Sequence, residues 1–309
     1  MKISTKRIPP NSFTDFLAAQ TAHAYDAAGS DYLAYADGDA TRLFNFTSSY
    51  SFADREIWHR LDATLMRLAA EGRNSVSILD AGCGPGTWLL RVVLRARELG
   101  FARVDAFGFD ISTVMIDLAK AAAARIEDQA VRMHFVVRDI TNGSAFGNNS
   151  FDITLCLYGV LNHLPRSAHG QVAAELSRVT SDSLFLTVRT IGSQPTIYVD
   201  KLEHARAFHQ DNDADWMEVD LLDGRHIGFT SHLFASTDLR ALFQPHLACI
   251  ALIGLDVFHG RFATNAHWNP LTREEQAAFE ADLVDLEHSY ASCARFIDRA
   301  AHILLVGEH

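Results

Sequence analysis

The stretch with the clearest chemical character is a turn with three glycines at alternate positions, preceded by an acid. The glycines are Gly82, Gly84 and Gly86, and the apolar run before them ends at Asp80. Glycine allows the backbone to turn sharply and to approach a ligand closely. The first N–H groups of a helix have no partner within that helix and can bind polar or anionic groups. The stretch therefore predicts a strand, a turn and a helix that begins near Thr87, with a cofactor at the turn.

The spacing of the glycines separates two classes of cofactor. The dinucleotide fingerprint G-x-G-x-x-G requires a glycine where this sequence has Thr87. Asp80 is also unsuited to a pyrophosphate, because two negative groups repel each other. A carboxylate at this strand end favours a cationic cofactor without phosphate. S-adenosylmethionine (SAM), which carries an ammonium and a sulfonium, has these properties.

The run Ile78–Gly86 resembles the first motif of the class I SAM-dependent methyltransferases, which consists of apolar residues, an acid and three alternate glycines. The resemblance implies a Rossmann-like α/β fold, with a doubly wound, seven-stranded, mostly parallel sheet and an antiparallel last strand. It also implies methyl transfer from SAM to a small-molecule acceptor by in-line displacement, with S-adenosylhomocysteine (SAH) as the product. A glycine-rich turn without a ligand is the alternative, and it leaves Asp80 without a role.

Two further acids follow the next two predicted strands. Asp110 ends the second strand and follows Gly86 by 24 residues, close to the roughly 20 expected for the acid that binds the ribose hydroxyls. Asp139 follows the third strand. In the resembling family this acid accepts a hydrogen bond from the adenine amino group; a turn or cap residue is the alternative. Ile111 is predicted to lie on one face of the adenine.

The three acids are predicted to form one site, because the carboxyl ends of neighbouring parallel strands meet at one edge of the sheet. The backbone of the turn, the residues after the acids and the end of the fourth strand complete this site. The predicted cofactor-binding residues are Asp80, Ala81, Gly82, Gly84, Gly86, Asp110, Ile111, Asp139, Ile140 and Leu157.

The segment after the fourth strand is where related enzymes place residues near the reactive methyl group. His163 has an ordinary pKa suited to a general base; the alternative is a histidine that hydrogen-bonds a backbone group across the loop. Asn162 is a candidate for orienting an acceptor amine or the methionine carboxylate. Tyr158 precedes them, and Tyr198, beside Thr196, is expected to reach the site from an inserted segment. A base is needed only when the acceptor still holds its proton.

Three residues are candidates for binding the acceptor. Tyr25 and Tyr50 belong to an aromatic-rich N-terminal segment, where they either cover the site and exclude water or attach helices to the body. Arg189, at the end of the fifth predicted strand, either pairs with an acidic group of the substrate or is an exposed surface cation. The sequence leaves both alternatives open.

These patterns divide the chain into a helical and aromatic cap over residues 1–53 and a SAM-binding Rossmann-like domain over residues 54–309. Asp54 is predicted to cap the helix that precedes the first strand. An insertion over residues 191–235 is expected near the substrate site. It is predicted to contain a helix over residues 200–209, followed by a β-hairpin with a polar Asp-Gly turn.

The composition limits the classes of partner. The chain has 309 residues and a net charge of −11 at pH 7, which repels phosphate backbones, so no nucleic-acid partner is expected. Its four cysteines lie far apart, which is typical of reduced thiols in a cytoplasmic protein. The N-terminal segment lacks the apolar core of a signal peptide, and the longest apolar run is too short to cross a membrane. Neither H-E-x-x-H nor C-x-x-C occurs, so no metal is expected.

Three functions remain open on the sequence. Methyl transfer to a small molecule is favoured by the motif. A SAM enzyme of other chemistry, such as an intramolecular displacement that releases methylthioadenosine, would keep the same cofactor residues. A SAM-binding module without turnover is the third, and the intact Asp80 and Asp110 argue against it. The sequence carries no signal for the nucleophile of the acceptor or for the oligomeric state.

Overall fold

The structure is a computed structural model, which describes residues 12–29, 32–33, 44–46, 51–143, 145–193, 205–262 and 273–309. The strands in these residues are β1 (Ser75–Ala81), β2 (Arg103–Asp110), β3 (Val131–Val137), β4 (Phe151–Cys156), β5 (Thr180–Arg189), β6 (Ala205–Asp211), β7 (Trp216–Leu221), β8 (His226–Thr230), β9 (Cys249–Leu255) and β10 (His302–Glu308). The helices are α1 (Ser12–Ala28), α2 (Ser51–Ala70), α3 (Thr87–Glu98), α4 (Thr113–Ala123), α5 (Arg166–Val179), α6 (Ser236–Phe243), α7 (His259–Phe262) and α8 (Arg273–Tyr290). Short 3-10 turns cover Ile140–Asn142, Val160–His163 and Ile297–Arg299. Among the described helices, none has the length and apolar character that crossing a membrane requires.

Seven strands form one sheet, in the order β3-β2-β1-β4-β5-β10-β9. Strands β1 to β5 pair in parallel, and β10 is antiparallel to both of its neighbours. The strand order reverses between β1 and β4, so a ligand crevice is expected at the carboxyl ends of these two strands. The predicted fold class, a doubly wound α/β sheet with an antiparallel last strand, is confirmed.

Apolar side chains on both faces of the sheet bury it between two layers of helices. On β1, Val76 and Ile78 pack in one cluster with residues of α2 and α3. The neighbouring Leu79 packs on the opposite face in a cluster with residues of α5 and α6. A strand that is covered on both faces has a continuous apolar sequence, which explains why the sequence alone predicts β1.

The helix before β1 begins earlier than the sequence predicts. It starts at Ser51, so Asp54 lies inside its first turn and is not its N-cap. Asp54 is 4% exposed, and its carboxylate accepts a hydrogen bond from the Tyr158 hydroxyl. Asp54 therefore serves a tertiary contact, which the local sequence does not reveal.

The insertion after β5 forms a second, antiparallel sheet in the order β6-β7-β8. The predicted hairpin corresponds to β7 and β8 and is confirmed. The predicted helix is wrong for residues 205–209, which belong to β6, and residues 200–204 lie outside the described part of the chain. Strand β6 pairs with β7, for example Phe208 with Val219, and this pairing outweighs the local helix propensity.

The N-terminal helix α1 packs against this second sheet. Ala24 of α1 is 1% exposed and belongs to an apolar cluster with β7 and β8 that includes Val219. At the end of α1, Asp26 Oδ1 accepts hydrogen bonds from Ser112 Oγ at 2.5 Å and Val114 N at 3.3 Å. Since these donors stand at the start of α4, the helix is held at two separate places on the protein.

Candidate functional site

A cleft lies at the carboxyl ends of the parallel strands. It encloses about 780 Å³, including space that opens to solvent. Its walls come from the turn after β1, the ends of β2, β3 and β4, and helix α1. Seven of the predicted cofactor-binding residues line this cleft: Gly82, Gly84, Asp110, Ile111, Asp139, Ile140 and Leu157.

The turn after β1 requires a glycine at its first position. Gly82 has a φ of 78°, a left-handed conformation that other residues rarely adopt. Its N–H donates to Phe109 O at 2.8 Å, which holds the turn against the end of β2. A Cβ atom at this position would lie 2.3 Å from Val160 Cγ2. A larger residue therefore does not fit unless the loop after β4 moves.

Two of the predicted cofactor-binding residues pack beneath the turn. Ala81 is fully buried within the apolar cluster on the α5 face of the sheet. Gly86 precedes α3, and a Cβ atom there would lie 3.1 Å from Ala119 Cβ and 3.3 Å from Phe135 Cε1. Neither residue lines the cleft. The structure therefore gives Ala81 and Gly86 packing roles in place of the predicted direct contact with a cofactor.

Asp110 presents a fixed carboxylate to the cleft. Its two oxygens accept hydrogen bonds from the backbone N–H groups of Gly84 and Ser112, both at 2.9 Å. Burial raises the pKa of Asp110, and the backbone N–H groups oppose this rise because they stabilise the charged form. A carboxylate held in this way still has lone pairs for two further donors, such as the hydroxyls of a diol.

Asp139 is a cap residue, as the alternative interpretation predicts, and it also lines the cleft. Its Oδ1 atom accepts hydrogen bonds from Thr141 N and Thr141 Oγ1, both at 2.8 Å, and so caps the 3-10 turn that follows β3. Asp139 and the following Ile140 also line the cleft. The cap fixes the position of the carboxylate at the cleft wall.

Asp80 lies beneath the cleft and does not line it. It is 2% exposed, and its Oδ2 atom has no hydrogen-bond partner among the described residues. Burial, together with the charge of the nearby Asp110, raises the pKa of Asp80 to about 8. The structure therefore brings two of the three predicted acids to the cleft surface and leaves the third as a buried acid under the turn.

The stability of the SAM-free protein is expected to depend on the protonation of Asp80. The pKa of Asp80 is about 8 in the folded protein and about 3.9 in the unfolded chain. Its contribution to the free energy of unfolding is therefore fully present below about pH 4, where the carboxyl group is protonated in both states. This contribution is lost as the pH rises toward 8. Asp80→Asn is thus expected to gain stability over wild type by roughly 1 kcal/mol per pH unit between about pH 5 and 7. Urea unfolding at several pH values measures the difference.

The control for this experiment is Asp105→Asn, which changes an acid on β2 that is paired with Arg132 at the surface. Its stability relative to wild type is expected to vary little with pH across the same range. Curves for Asp80→Asn and wild type that run parallel from pH 5 to 8 would contradict a buried, protonated Asp80.

Tyr158 lines the cleft, but its hydroxyl is directed elsewhere. The residue has a φ of 56°, and its N–H donates to Thr187 Oγ1 at 2.5 Å. Its hydroxyl donates to Asp54, and its ring packs against Trp88 at a centroid distance of 6.2 Å. Burial, followed by the charge of Asp54, raises the pKa of Tyr158 well above its ordinary value. The predicted catalytic use of this hydroxyl is therefore not supported.

Asn162 bonds to the backbone of neighbouring segments, and the predicted contact with an acceptor or with the methionine carboxylate is not supported by its position. It is fully buried and does not line the cleft. Its amide nitrogen donates to the carbonyl oxygens of Arg189 and His232, and its oxygen accepts from Arg189 N at 2.9 Å. The side chain thus joins the turn after β4 to β5 and to the segment after β8.

Asn162→Ala is expected to lower the free energy of unfolding by about 2–4 kcal/mol, because it leaves several buried backbone groups without a partner. SAM affinity of the folded protein is expected to fall by less than about threefold, since the side chain does not line the cleft. Urea unfolding and calorimetry measure the two quantities. Asn74→Ala, at an exposed position, serves as the control, and a large loss of affinity without a loss of stability would contradict the structural role.

His163 and Tyr25 meet at the cleft. His163 Nδ1 lies 2.8 Å from the carbonyl oxygen of Thr230, and its Nε2 lies 3.2 Å from Tyr25 Oη. A carbonyl oxygen only accepts, so we assign the proton to Nδ1, and Nε2 accepts from the tyrosine hydroxyl. Burial lowers the pKa of His163 to about 4, so the ring is neutral at pH 7. The hydrogen bond to a backbone group, which was the alternative to a role as general base, is present. The other ring nitrogen of His163 faces Tyr25.

Arg189 is buried and is not a surface cation. It is 4% exposed and does not line the cleft. Its charge contributes to the lowered pKa values of His163 and His302, after the larger effect of burial. Pairing of Arg189 with a substrate acid in this cleft is therefore not supported.

Tyr50, Tyr198 and Thr196 lie outside the described residues.

Several cleft residues were not predicted from the sequence. Thr21 and Tyr32 come from the N-terminal segment. The apolar residues of this segment show no clear helical period, so the sequence does not reveal which face of α1 is directed inward. Arg138 directly precedes Asp139, and its Nη2 atom donates to Gly143 O at 2.5 Å. Val160 comes from the turn after β4 and lies against Gly82. Arg138 had a signal in the sequence, namely its position beside a predicted acid, and Val160 and Tyr32 lie in segments that were expected near the site.

No group of three potential metal ligands is present within the described residues. The cleft wall offers carboxylates, backbone N–H groups and apolar side chains, which are groups suited to an organic molecule.

Comparisons with known proteins find a family match for the central region of the chain. Residues 78–183 match the family described as a methyltransferase domain. A probable methyltransferase, ltbC, from Aspergillus luteorubrus is 33% identical over 115 residues, which cover 36% of this chain and 39% of that protein. The match to this relative thus spans less than half of its length.

The solved structures that match include a SAM-dependent methyltransferase from Methanosarcina mazei, with a TM-score of 0.48 and 16% identity over 76% of this chain and 93% of that one. A SAM-dependent methyltransferase from Clostridium acetobutylicum has a TM-score of 0.50 and 10% identity over 81% of this chain and 91% of that one. At 10% identity the latter similarity shows a shared fold and no more. Residues 78–183, which contain the glycine turn and all three acids, therefore match a methyltransferase domain, and the sheet to which they belong has the Rossmann-like fold predicted from the sequence.

Proposed function

We propose that this protein transfers the methyl group of SAM to a small-molecule acceptor and releases SAH. The observation that carries the proposal is the carboxylate of Asp110, which is held beside the glycine turn by the N–H groups of Gly84 and Ser112. A negative charge in contact with the turn disfavours a phosphate there, and it occupies an N–H group that a phosphate would use. The arrangement favours a nucleoside with a free diol.

The residues of the cleft fit SAM. Asp110 is proposed to bind the ribose hydroxyls, Asp139 the adenine amino group, and Ile111 and Ile140 the faces of the adenine; all four line the cleft. Asp80 lies under the turn with a buried oxygen that has no partner among the described residues. A cationic group bound at the turn would stabilise the ionised form of this acid, which supports a cofactor with an ammonium and a sulfonium.

When bound, SAM supplies a methyl group attached to a positively charged sulfur, which is an activated leaving group. The task of the protein is to align an acceptor with the methyl–sulfur bond, and alignment contributes up to roughly 7–11 kcal/mol. Leu157, Val160 and Leu164 provide apolar walls to the cleft, and α1 covers one side of it. These walls exclude water from the reacting groups.

The proposal is tested by incubating the protein with SAM alone and then with SAM and a metabolite extract, with products followed by mass spectrometry. SAH that forms only with the extract supports methyl transfer. Methylthioadenosine that forms without the extract would indicate another SAM chemistry, and the absence of both products would indicate a binding module. The Asp105→Ala variant is the positive control, because Asp105 is a surface residue of the same strand as Asp110.

A further inference from the structure

The carboxylate of Asp26 attaches helix α1 to the cofactor side of the cleft. Asp26 Oδ1 accepts hydrogen bonds from Ser112 Oγ at 2.5 Å and from Val114 N at 3.3 Å. These donors belong to the start of α4, where backbone N–H groups lack partners within the helix and a negative charge is favourable. The contact therefore joins the N-terminal helix to the strand and helix that flank Asp110.

Ser112 connects Asp26 to the carboxylate that faces the cleft. Its backbone N–H donates to Asp110 Oδ1 at 2.9 Å, while its hydroxyl donates to Asp26. The same hydroxyl accepts a hydrogen bond from Met115 N at 3.1 Å. Ser112 is fully buried, and these bonds fix both its backbone and its side chain. A change in the position of one carboxylate is therefore transmitted to the other through a single residue.

The two carboxylates also interact through their charges. Burial raises the pKa of Asp110, the backbone N–H groups oppose this rise, and the charge of Asp26 adds to it. The two negative charges repel each other, which disfavours the docked position of α1. Donors that bind Asp110 from the cleft share its charge and so reduce this repulsion. A diol bound at Asp110 thus favours the contact between Asp26 and α4.

The apolar attachment of α1 is small, so its polar contacts matter for its position. Among the described side chains of α1, the buried apolar ones are Leu17, Ala24 and Ala28. Helix α2, in contrast, buries four large aliphatic side chains, namely Ile57, Leu61, Leu65 and Leu68. Alanine buries little apolar area, and segments with few buried apolar contacts open at a low cost in free energy.

The face of α1 that lines the cleft provides a second connection to a bound molecule. Ala18 and Thr21 both line the cleft. Thr21 is 7% exposed, and its Oγ1 atom has no hydrogen-bond partner among the described residues. A buried hydroxyl without a partner costs free energy in the docked helix. A polar atom of a ligand that reached this hydroxyl would recover that cost and stabilise the docked position.

We propose that a nucleoside bound through its diol to Asp110 tightens the contact between Asp26 and α4, and so closes α1 over the cleft. Asp26 is a positioning residue, because it acts through Ser112 and does not itself line the cleft. The inference rests on the proposed function, since it takes the ribose of SAM as the ligand of Asp110. It adds an order of events: the cofactor binds first, and the wall formed by α1 is completed afterwards.

The coupling acts in both directions. If the cofactor strengthens the attachment of α1 by some factor, the attachment strengthens cofactor binding by the same factor. Asp26 is exposed, and solvent weakens the interaction of an exposed charge. We therefore expect a coupling of about fivefold, at the lower end of the usual range.

Closure is tested by hydrogen exchange with mass spectrometry on the full chain, with SAH as the probe. Saturating SAH is expected to slow the exchange of α1 about fivefold, and to leave α8, whose described residues do not line the cleft, unchanged. Unchanged exchange of α1 while calorimetry shows SAH binding would overturn the inference and leave the cofactor site intact. Equal slowing of α1 and α8 would overturn it as well. Failure of SAH to bind would instead contradict the proposed function.

The role of Asp26 is tested with two variants and a control on the same helix. Asp26→Ala is expected to speed the exchange of α1, to abolish its response to SAH and to weaken SAH binding about fivefold. Asp26→Asn keeps an oxygen that accepts from Ser112 but removes the charge, so α1 is expected to stay attached and to lose most of its response. Asp15→Ala removes an exposed acid from the first turn of α1 and is expected to respond as wild type does.

Two outcomes with these variants would contradict the proposal. A full response to SAH in Asp26→Asn would overturn the charge interaction between Asp26 and Asp110. A full response in Asp26→Ala would overturn the coupling of α1 to the cofactor site through Asp26.

Discussion

Replacing Gly82 with alanine is expected to abolish SAM binding and to lower the free energy of unfolding by about 2–5 kcal/mol. The left-handed backbone at a φ of 78° costs an alanine roughly 1–2 kcal/mol. The new Cβ atom would lie 2.3 Å from Val160 Cγ2, and such overpacking adds about 1–3 kcal/mol. Relief of the contact moves the turn that borders the cleft. Calorimetric titration with SAH and urea unfolding measure the two losses.

A matched control separates the backbone strain from the steric contact. Gly72 has a φ of 81°, and a Cβ atom built on it meets nothing within 4 Å. Gly72→Ala is therefore expected to lose only the roughly 1–2 kcal/mol of strain and to bind SAH as wild type does. The double variant Gly82→Ala/Val160→Ala removes the contact and is expected to regain part of the lost stability. A double variant as unstable as Gly82→Ala would show that the contact with Val160 is unimportant.

The second large effect is expected for Asp110→Ala, which should weaken SAM binding by about 1.5–3 kcal/mol, the range for hydrogen bonds to a charged group. The loss is expected because the carboxylate is held in place by Gly84 N–H and Ser112 N–H and faces the cleft. Removing it also leaves those two donors without their partner. Calorimetry with SAM and with SAH measures the change.

Asp105→Ala is the matched control for this variant, since it lies on the same strand with its carboxylate paired to Arg132 at the surface. Its SAM affinity is expected to equal that of wild type. If Asp110→Ala binds SAM as tightly as Asp105→Ala does, the ribose lies elsewhere and the proposed orientation of the cofactor fails.

The features that were predicted correctly are encoded locally. The strand, turn and helix around Gly82 are specified by a run of about a dozen residues, because burial, backbone freedom and helix initiation are all read from neighbouring positions. The fold class follows from repetition of that unit along the chain. The glycine turn and Asp110 line the cleft for the same reason, since each sits at the end of a strand whose place in the sheet the pattern already determines.

The features that were missed depend on partners far away in the sequence. The hydroxyl of Tyr158 is taken by Asp54, which is 104 positions away, and the amide of Asn162 is taken by Arg189 and His232. Strand β6 forms because β7 is available to pair with it. The sequence placed Asn162 and Tyr158 correctly after β4, but it contains no local signal for where their polar atoms point.

The attachment of α1 also has a consequence for how the chain folds during its synthesis. The helix occupies Ser12–Ala28, whereas the strands that receive its apolar face span Trp216–Thr230. At a ribosomal rate of about 5–20 residues per second, the helix emerges roughly 10–40 s before those strands exist. During this interval Ala24 and its neighbours have no native surface to cover them. The wall that carries Thr21 and Tyr25 is therefore the last part of the cleft to be assembled, after nearly three quarters of the chain has been made.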